Sequence, residues 1–232
     1  MKRFYKDVAS EQVPDGFQVL LDGKAVKTPA RQTLLLPTMA LAQAIEEEWR
    51  AQGEEIVPAS MPMLRLANTA QDGVAATRPE VIAAILRFGE HDLVCYRAES
   101  AAELLRRQRE GWDPMLEWAA VELGAPLTVT EGIGHAAQPP VALAALERAV
   151  ATNDVYGLVA LHVMSSITGS LVLGLALARG AINPAQAFHL SRLDEIFQAE
   201  RWGKDPDAED RAHALARELD VAANFLKLSR PA

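Results

Sequence analysis

The chain has 232 residues, half of them apolar and 23% charged, with a formal net charge of −8. That supplies the apolar material for one large domain or two small ones, and the acidic balance argues against nucleic acid or an anionic membrane as main partner, because both need a basic surface. A single cysteine, Cys95, excludes an intramolecular disulfide and fits a reducing compartment.

The first ten residues have no apolar core of signal-peptide length. Residues 17–36 read as β structure. GFQVLL and KAVKT flank Asp22-Gly23, a pair that tolerates the positive φ of a hairpin turn. TLLL at 33–36 supplies a third strand. Thr38 then caps a helix to about Gln52, with Gly53 as its stop. Leu41, Ile45 and Trp49 share its inner face, and Glu46, Glu47 and Glu48 form a solvated flank. Pro58 and Pro62 make residues 54–63 extended or looped, and residues 64–72 form a short helix. Met61 and Met63 either fill core gaps or offer an adaptable binding surface.

After residue 76 the punctuation is helical. Thr77 and Glu80 frame a capping box with Pro79 at the first helical position, and that helix stops near Gly89. Residues 93–96 are strand or extended. Ser100 and Glu103 frame a second box, opening a helix to about Gly111; Asp113-Pro114 opens another, ending at Gly124. Residues 127–130 form a short strand, 131–138 a loop, and Pro139 or Pro140 opens a helix to about Thr152. Asn183-Pro184, with Gln186 three on from the cap, opens a helix that stops at Gly203. Asp205-Pro206 opens the last one, with Leu215, Leu219, Ala222 and Leu226 as its seam. This order predicts an α+β protein: a small β-containing N-terminal domain with one helix (1–75), followed by a mostly α-helical C-terminal domain (76–232).

Residues 155–178 are the longest uncharged run. A segment apolar on every side is buried in a core or in a bilayer. His162, Ser165, Ser166, Thr168 and Ser170 interrupt it, and Gly157, Gly169 and Gly174 weaken one continuous helix. The run therefore predicts a buried hairpin or kinked helix, capped by Asn153 or Asp154 and broken near 166–169. Ser166, Ser170 and Gly174, four apart, would let another helix approach closely.

No catalytic motif is visible. The histidines, His91, His135, His162, His189 and His213, make no HExxH, and no two fall at i,i+4 on one predicted helix. One cysteine excludes a zinc-thiolate site within the chain. His91-Asp92 resembles a ligand pair of a metal phosphohydrolase but lacks the further ligands, so a helix-end pair is the ordinary reading. His162 reads as a hydrogen-bonded core residue and Cys95 as a small buried hydrophobe. No GxSxG surrounds Ser165-Ser166, and Gly132 and Gly134 make no phosphate loop. A hydrolase using His91 and Asp92, or a membrane-associated helical protein, remain the rival readings.

The stretch SRLDEIFQAERWG (191–203) stands out. Leu190, Leu193, Phe197 and Trp202 can pack inward. Arg192 can pair with Glu195, leaving Asp194 or Glu195 without an evident neighbour. Such a helix either carries ordinary surface ion pairs or presents a carboxylate to a partner, with Trp202 as an aromatic anchor.

Here the chain resembles the assembly chaperone family for the α subunit of the F-type ATP synthase head. RFYKDV (3–8), LDGKAVKTPAR (21–31), EEWRAQG (47–53), MPMLRLANTAQD (61–72), DLVCYRA (92–98), QREGWDPMLEW (108–118), GSLVLGLALARG (169–180) and SRLDEIFQAERWG carry the resemblance, in order and over nearly the full length. It departs at Leu64, where threonine is expected in many relatives. The resemblance implies a non-enzymatic chaperone that binds the newly made α subunit and holds the place of β, without cofactor or metal. It implies a functional role for Asp194 or Glu195 and a structural one for Trp49; Glu200 and Trp202 join the candidate partner-binding residues, and Trp112 and Trp118 the structural ones. It further implies a monomer without stable membrane insertion. Mitochondrial members work in the matrix and carry a transit peptide; lacking one, this chain reads as bacterial and cytoplasmic.

Overall fold

The computed structural model describes residues 1–132, 134 and 136–231; His135 lies outside them. The chain folds as two units, the first comprising Met1–Arg78, Asp154–Ala160 and Asn224–Ala232, the second Pro79–Asn153 and Leu161–Ala223. The fold is α+β, with small sheets and a mostly helical remainder.

In the first unit, β1 (Val8–Val13), β2 (Gly16–Leu21) and β3 (Lys24–Ala25) form an antiparallel sheet in that order. Val8 pairs with Leu21 and Val13 with Gly16. The β2–β3 turn is Asp22-Gly23, at φ 47° and 75°, as the hairpin reading requires. The Asp22 carboxylate accepts the Lys6 and Asp7 amides, and these bonds hold its pKa below the usual range. Two expectations change. Residues 33–36 are not a strand but touch the sheet only by the bridges Lys27↔Thr33 and Phe17↔Leu36. The third full strand is β1, whose VASEQV carries too little apolar alternation to announce itself; only Val8 is buried.

Helix α1 (Met39–Arg50) opens at Thr38, whose hydroxyl accepts the Leu41 amide, and Leu41, Ile45 and Trp49 are buried. Of the three glutamates only Glu47 is exposed as a solvated flank would be. Glu46 is buried, takes the Ser10 hydroxyl at 2.5 Å and pairs with Arg50. Glu48 accepts the amides of Met63 and Leu64 at 2.6 and 2.9 Å. It thereby satisfies the orphan donors at the start of α2 (Pro62–Asn68). Met61 and Met63 are buried, the core-filling reading.

The second unit carries α3 (Arg78–Glu90), a 3₁₀ turn at Leu93–Cys95, β4 (Tyr96–Arg97), α4 (Ala102–Trp118), β5 (Thr130–Glu131), α5 (Pro140–Ala151) and α7 (Leu171–Ala178). α6 (Val155–Thr168) begins in the first unit and continues here. β4 and β5 pair in parallel. Ser100 does not cap α4: its N-cap is Ala101, without a side-chain bond, and Glu103 instead grips Arg106 and Arg107. Those two guanidiniums draw the Glu103 pKa down to about 2.

Local signals at Gly111 and Asp113-Pro114 predict two separate helices, yet α4 runs through both. A Cβ on Gly111 would sit 2.9 Å from Leu190 and 3.1 Å from Leu193, so the glycine serves a close approach, not a stop. Asp113 pairs with Arg97 at 2.7 Å, and Pro114 lies on the exposed face, where water can solvate the carbonyl it leaves unpaired.

Asp154 caps α6 through the Gly157 amide at 2.7 Å. The break comes at Gly169 (φ 64°), and Ser170 caps α7 by accepting the Leu173 amide. All eight α7 residues are buried. Asp92 is fully buried, accepting the Val94 amide at 3.2 Å and the Val172 amide at 2.9 Å; burial pushes its pKa up to about 6. His162 and Ser166 contradict the reading of 155–178 as buried throughout: both are exposed, and the His162 ring stands edge-on to Phe88. The close contact in this region is Gly174 against Ser165, not a stripe through Ser166. No helix among the described residues is long and apolar enough to cross a membrane.

Candidate functional site

The capping signals predict one helix from residue 183 to Gly203. The chain forms two. Asn183 and Gln186 make the reciprocal capping box that opens α8 (Pro184–Ser191). The chain breaks at Arg192 (φ −118°) and resumes as α9 (Leu193–Trp202), ended by Gly203 at φ 93°. α10 (Pro206–Ser229) follows.

Buried residues fix how α9 lies. Leu193 and Phe197 are buried, and the guanidiniums of Arg107 and Arg201 lie over the Phe197 ring at 5.6 and 4.5 Å. Trp112, buried in α4, donates its indole N–H to the Leu190 carbonyl at 2.8 Å. This bond satisfies a carbonyl left over where α8 ends. The two adjacent carboxylates are then separated in role. Asp194 accepts the Gln108 amide nitrogen at 2.8 Å, while the Gln108 oxygen accepts the Ala98 amide at 2.8 Å. Asp194 therefore has a neighbour, 86 residues distant, that no local spacing could reveal. Glu195 is exposed and pairs with Arg192 at 3.0 Å, and Glu200 pairs with Arg107 at 2.8 Å. Trp202 does not pack inward: it is 78% exposed, the most exposed large apolar side chain among the described residues.

Beside Glu195 and Glu200 lies a groove of about 630 Å³, walled by α8 and α9 on one side and the first half of α10 on the other. Phe188 and Ile196 meet Ala208, Ala212 and Ala216 across it. Those alanines recur every fourth residue, a regularity readable in the sequence beforehand.

The other sequence candidates sit elsewhere. Asp92 is spent on backbone amides, and Cys95 is buried with its thiol pushed up to about 12, by burial first and the Asp92 charge second. Among the described residues no three of His, Cys, Asp and Glu converge as a metal site. Trp49 is buried against Tyr5, whose hydroxyl donates to the Trp49 carbonyl at 2.6 Å; Trp118 is half-buried.

Comparison with known proteins agrees with this architecture. The family described as ATP12 chaperone protein matches residues 2–120. The solved Atp12 of Paracoccus denitrificans is 45% identical, with a TM-score of 0.96, covering 99% of this chain and 98% of that one. An aspartate-to-lysine variant of the same protein matches equally. A chaperone-like protein of Agrobacterium tumefaciens is 43% identical, with a TM-score of 0.93, over 99% of this chain and 86% of that one. The mitochondrial protein atp12 of Schizosaccharomyces pombe is 25% identical over 222 residues, 90% of this chain and 76% of that protein. Fold and relatives define an assembly chaperone of the ATP synthase, not an enzyme. The chain belongs to the ATP12 chaperone family.

Proposed function

We propose that the chain binds the newly made α subunit of the ATP synthase head and covers the surface that later meets β, so that α does not self-associate. The observation that carries this is the end of α9: an indole 78% exposed, on the same helix as three carboxylates. An exposed aromatic anchor flanked by charge is the composition of a binding hot spot. A stable contact buries roughly 1,600 Å², and displacement by β requires this one to be weaker than the α–β contact. Charge suits that need, because it speeds encounter more than it deepens affinity. In this reading Glu195, Glu200 and Trp202 face the client, with Asp194 held beside them by Gln108, while Trp49, Trp112 and Trp118 serve the fold. The chain acts as a monomer in the bacterial cytoplasm.

The test is capture of isolated α by the purified chain. Glu195→Lys, Asp194→Lys and Trp202→Ala should each weaken capture about tenfold or more, roughly 1.4 kcal/mol, with an unchanged helical circular dichroism spectrum. Undiminished capture by all three would remove this site. If the chain has no effect on the rate at which isolated α aggregates, the assignment of the client is wrong.

A further inference from the structure

The groove beside α9 has a form that specifies what fills it. Its α10 wall is built from Ala208, Ala212 and Ala216, each only half-buried. The opposite wall is Phe188 and Ile196, also half-buried. Alanine at every fourth position makes a low ridge, and low ridges let a second helix axis approach to about 8 Å. The first half of α10 is correspondingly thinly packed: none of its residues before Leu219 is buried. Two helical walls around about 630 Å³ leave room for a third helix.

Charge narrows the choice further. Five carboxylates rim the groove, those of Glu195, Glu200, Asp205, Glu209 and Asp220, against two permanent cations, Arg192 and Lys204. Both cations are engaged locally, Arg192 with Glu195 at 3.0 Å and Lys204 with Glu209 at 2.7 Å; Glu200 is paired with Arg107 at 2.8 Å and Asp205 lies 3.9 Å from Arg211, which leaves Asp220 as the rim carboxylate in no such pair among the described residues. His189 and His213 are the other titratable groups on the walls. The rim thus presents net negative charge to whatever enters. A second copy of this chain, itself at −8, would be repelled there. An extended strand would find no sheet edge with which to pair, because the walls are helices.

We infer that the groove receives an amphipathic α-helix with an apolar stripe and a lysine- or arginine-rich flank. The stripe seats between the alanine ridge and Phe188–Ile196, and the flank meets Asp220 first, with the paired carboxylates of Glu200 and Asp205 beside it. The inference rests on the chaperone reading for the source of that helix, the client, and goes beyond it in stating which kind of client segment is held.

Two arms separate the two readings. In the first, the full-length chain is titrated with an 18-residue leucine–lysine amphipathic helix, its leucine–glutamate counterpart, and a proline-interrupted leucine–lysine peptide of the same charge. The leucine–lysine helix should bind at least tenfold more tightly than either control. Ala212→Trp, which fills the groove without changing charge, should weaken that binding at least tenfold, and Asp220→Lys should weaken it several-fold. Equal binding of the helix and the proline-interrupted peptide, or no effect of Ala212→Trp in a chain of unchanged melting temperature, overturns the inference. In the second arm, isolated α is offered to wild type and to Ala212→Trp. Capture by wild type and loss with Ala212→Trp supports it, and equal capture by both overturns it while leaving the chaperone role standing. If wild type captures no α, the client assignment fails, and the peptide arm still decides the groove.

Discussion

Asp92 and Asp194 show how differently two carboxylates of one chain are used. Asp92 lies in the core at 0% exposure, with its oxygens on the amides of Val94 and Val172. Burial outweighs those bonds and lifts its pKa to about 6, above the roughly 3.9 of an unfolded chain. The folded state therefore binds more protons than the unfolded one across that interval. The contribution of this group to stability is full below about pH 4 and is lost as pH rises through about 6, on the order of 3 kcal/mol in all. Urea unfolding at pH 4, 5, 6 and 7 should show wild type gaining stability relative to Asp92→Asn as the pH falls. A pH-independent gap between the two would contradict this. Asp194 instead is half-buried and tied to Gln108. Gln108→Leu should cost about 1–3 kcal/mol, because it leaves the Ala98 amide and the Asp194 carboxylate without their partner.

Among the helices, the packing of α7 against the second half of α6 turns on a single missing methyl group. A Cβ on Gly174 would lie 2.5 Å from the Ser165 hydroxyl oxygen and 3.3 Å from Leu161. Gly174→Ala gains about 1 kcal/mol of helix propensity but overpacks a closed core, at a typical cost of about 1–3 kcal/mol. A net loss of about 1 kcal/mol is expected by chemical denaturation. The Ser165 hydroxyl is buried and makes no hydrogen bond, so Ser165→Ala alone should be neutral or slightly stabilising. In combination it should recover most of the Gly174→Ala loss, a coupling that a double-mutant cycle reads directly. The 155–178 segment shows both the reach and the limit of sequence patterning. Its break is local chemistry, a left-handed glycine followed by a capping serine, and is legible. Which of its residues face outward is not: His162 and Ser166 are exposed, and exposure depends on tertiary neighbours that the segment itself does not encode.

For the molecule as a whole, a charge of −8 in 232 residues is a kinetic statement. If the groove and α9 meet a basic client surface, association is steered electrostatically and screened by salt. Stopped-flow measurement should find the association rate constant falling about tenfold between roughly 50 and 500 mM salt, with dissociation little changed. A salt-independent association rate would argue for an apolar docking step without steering. The distribution of elements is legible along the chain: β signals lie before residue 37, helix starts follow Thr38, Asp154, Asn183 and Asp205, and ends fall at Gly169 and Gly203. Proline, glycine and capping side chains act over four or five residues, so their effect is written locally. The same signals mislead at Gly111 and Pro114, where α4 runs on: Leu190 and Leu193 pack close against Gly111, and Arg97 pairs with Asp113 beside Pro114.

By itself the sequence determined the α+β class and the places where most helices start and stop, and it singled out residues 191–203 as a segment to test. These depend on residue type and short spacing. Tertiary structure alone decided that Glu46 and Glu48 turn inward, that Asp194 is held by Gln108 while Glu195 rims a groove, and that Trp202 stands in solvent. Each of those depends on a partner well outside the local segment, or on the lack of one, and burial is a property of neighbours that no single segment carries.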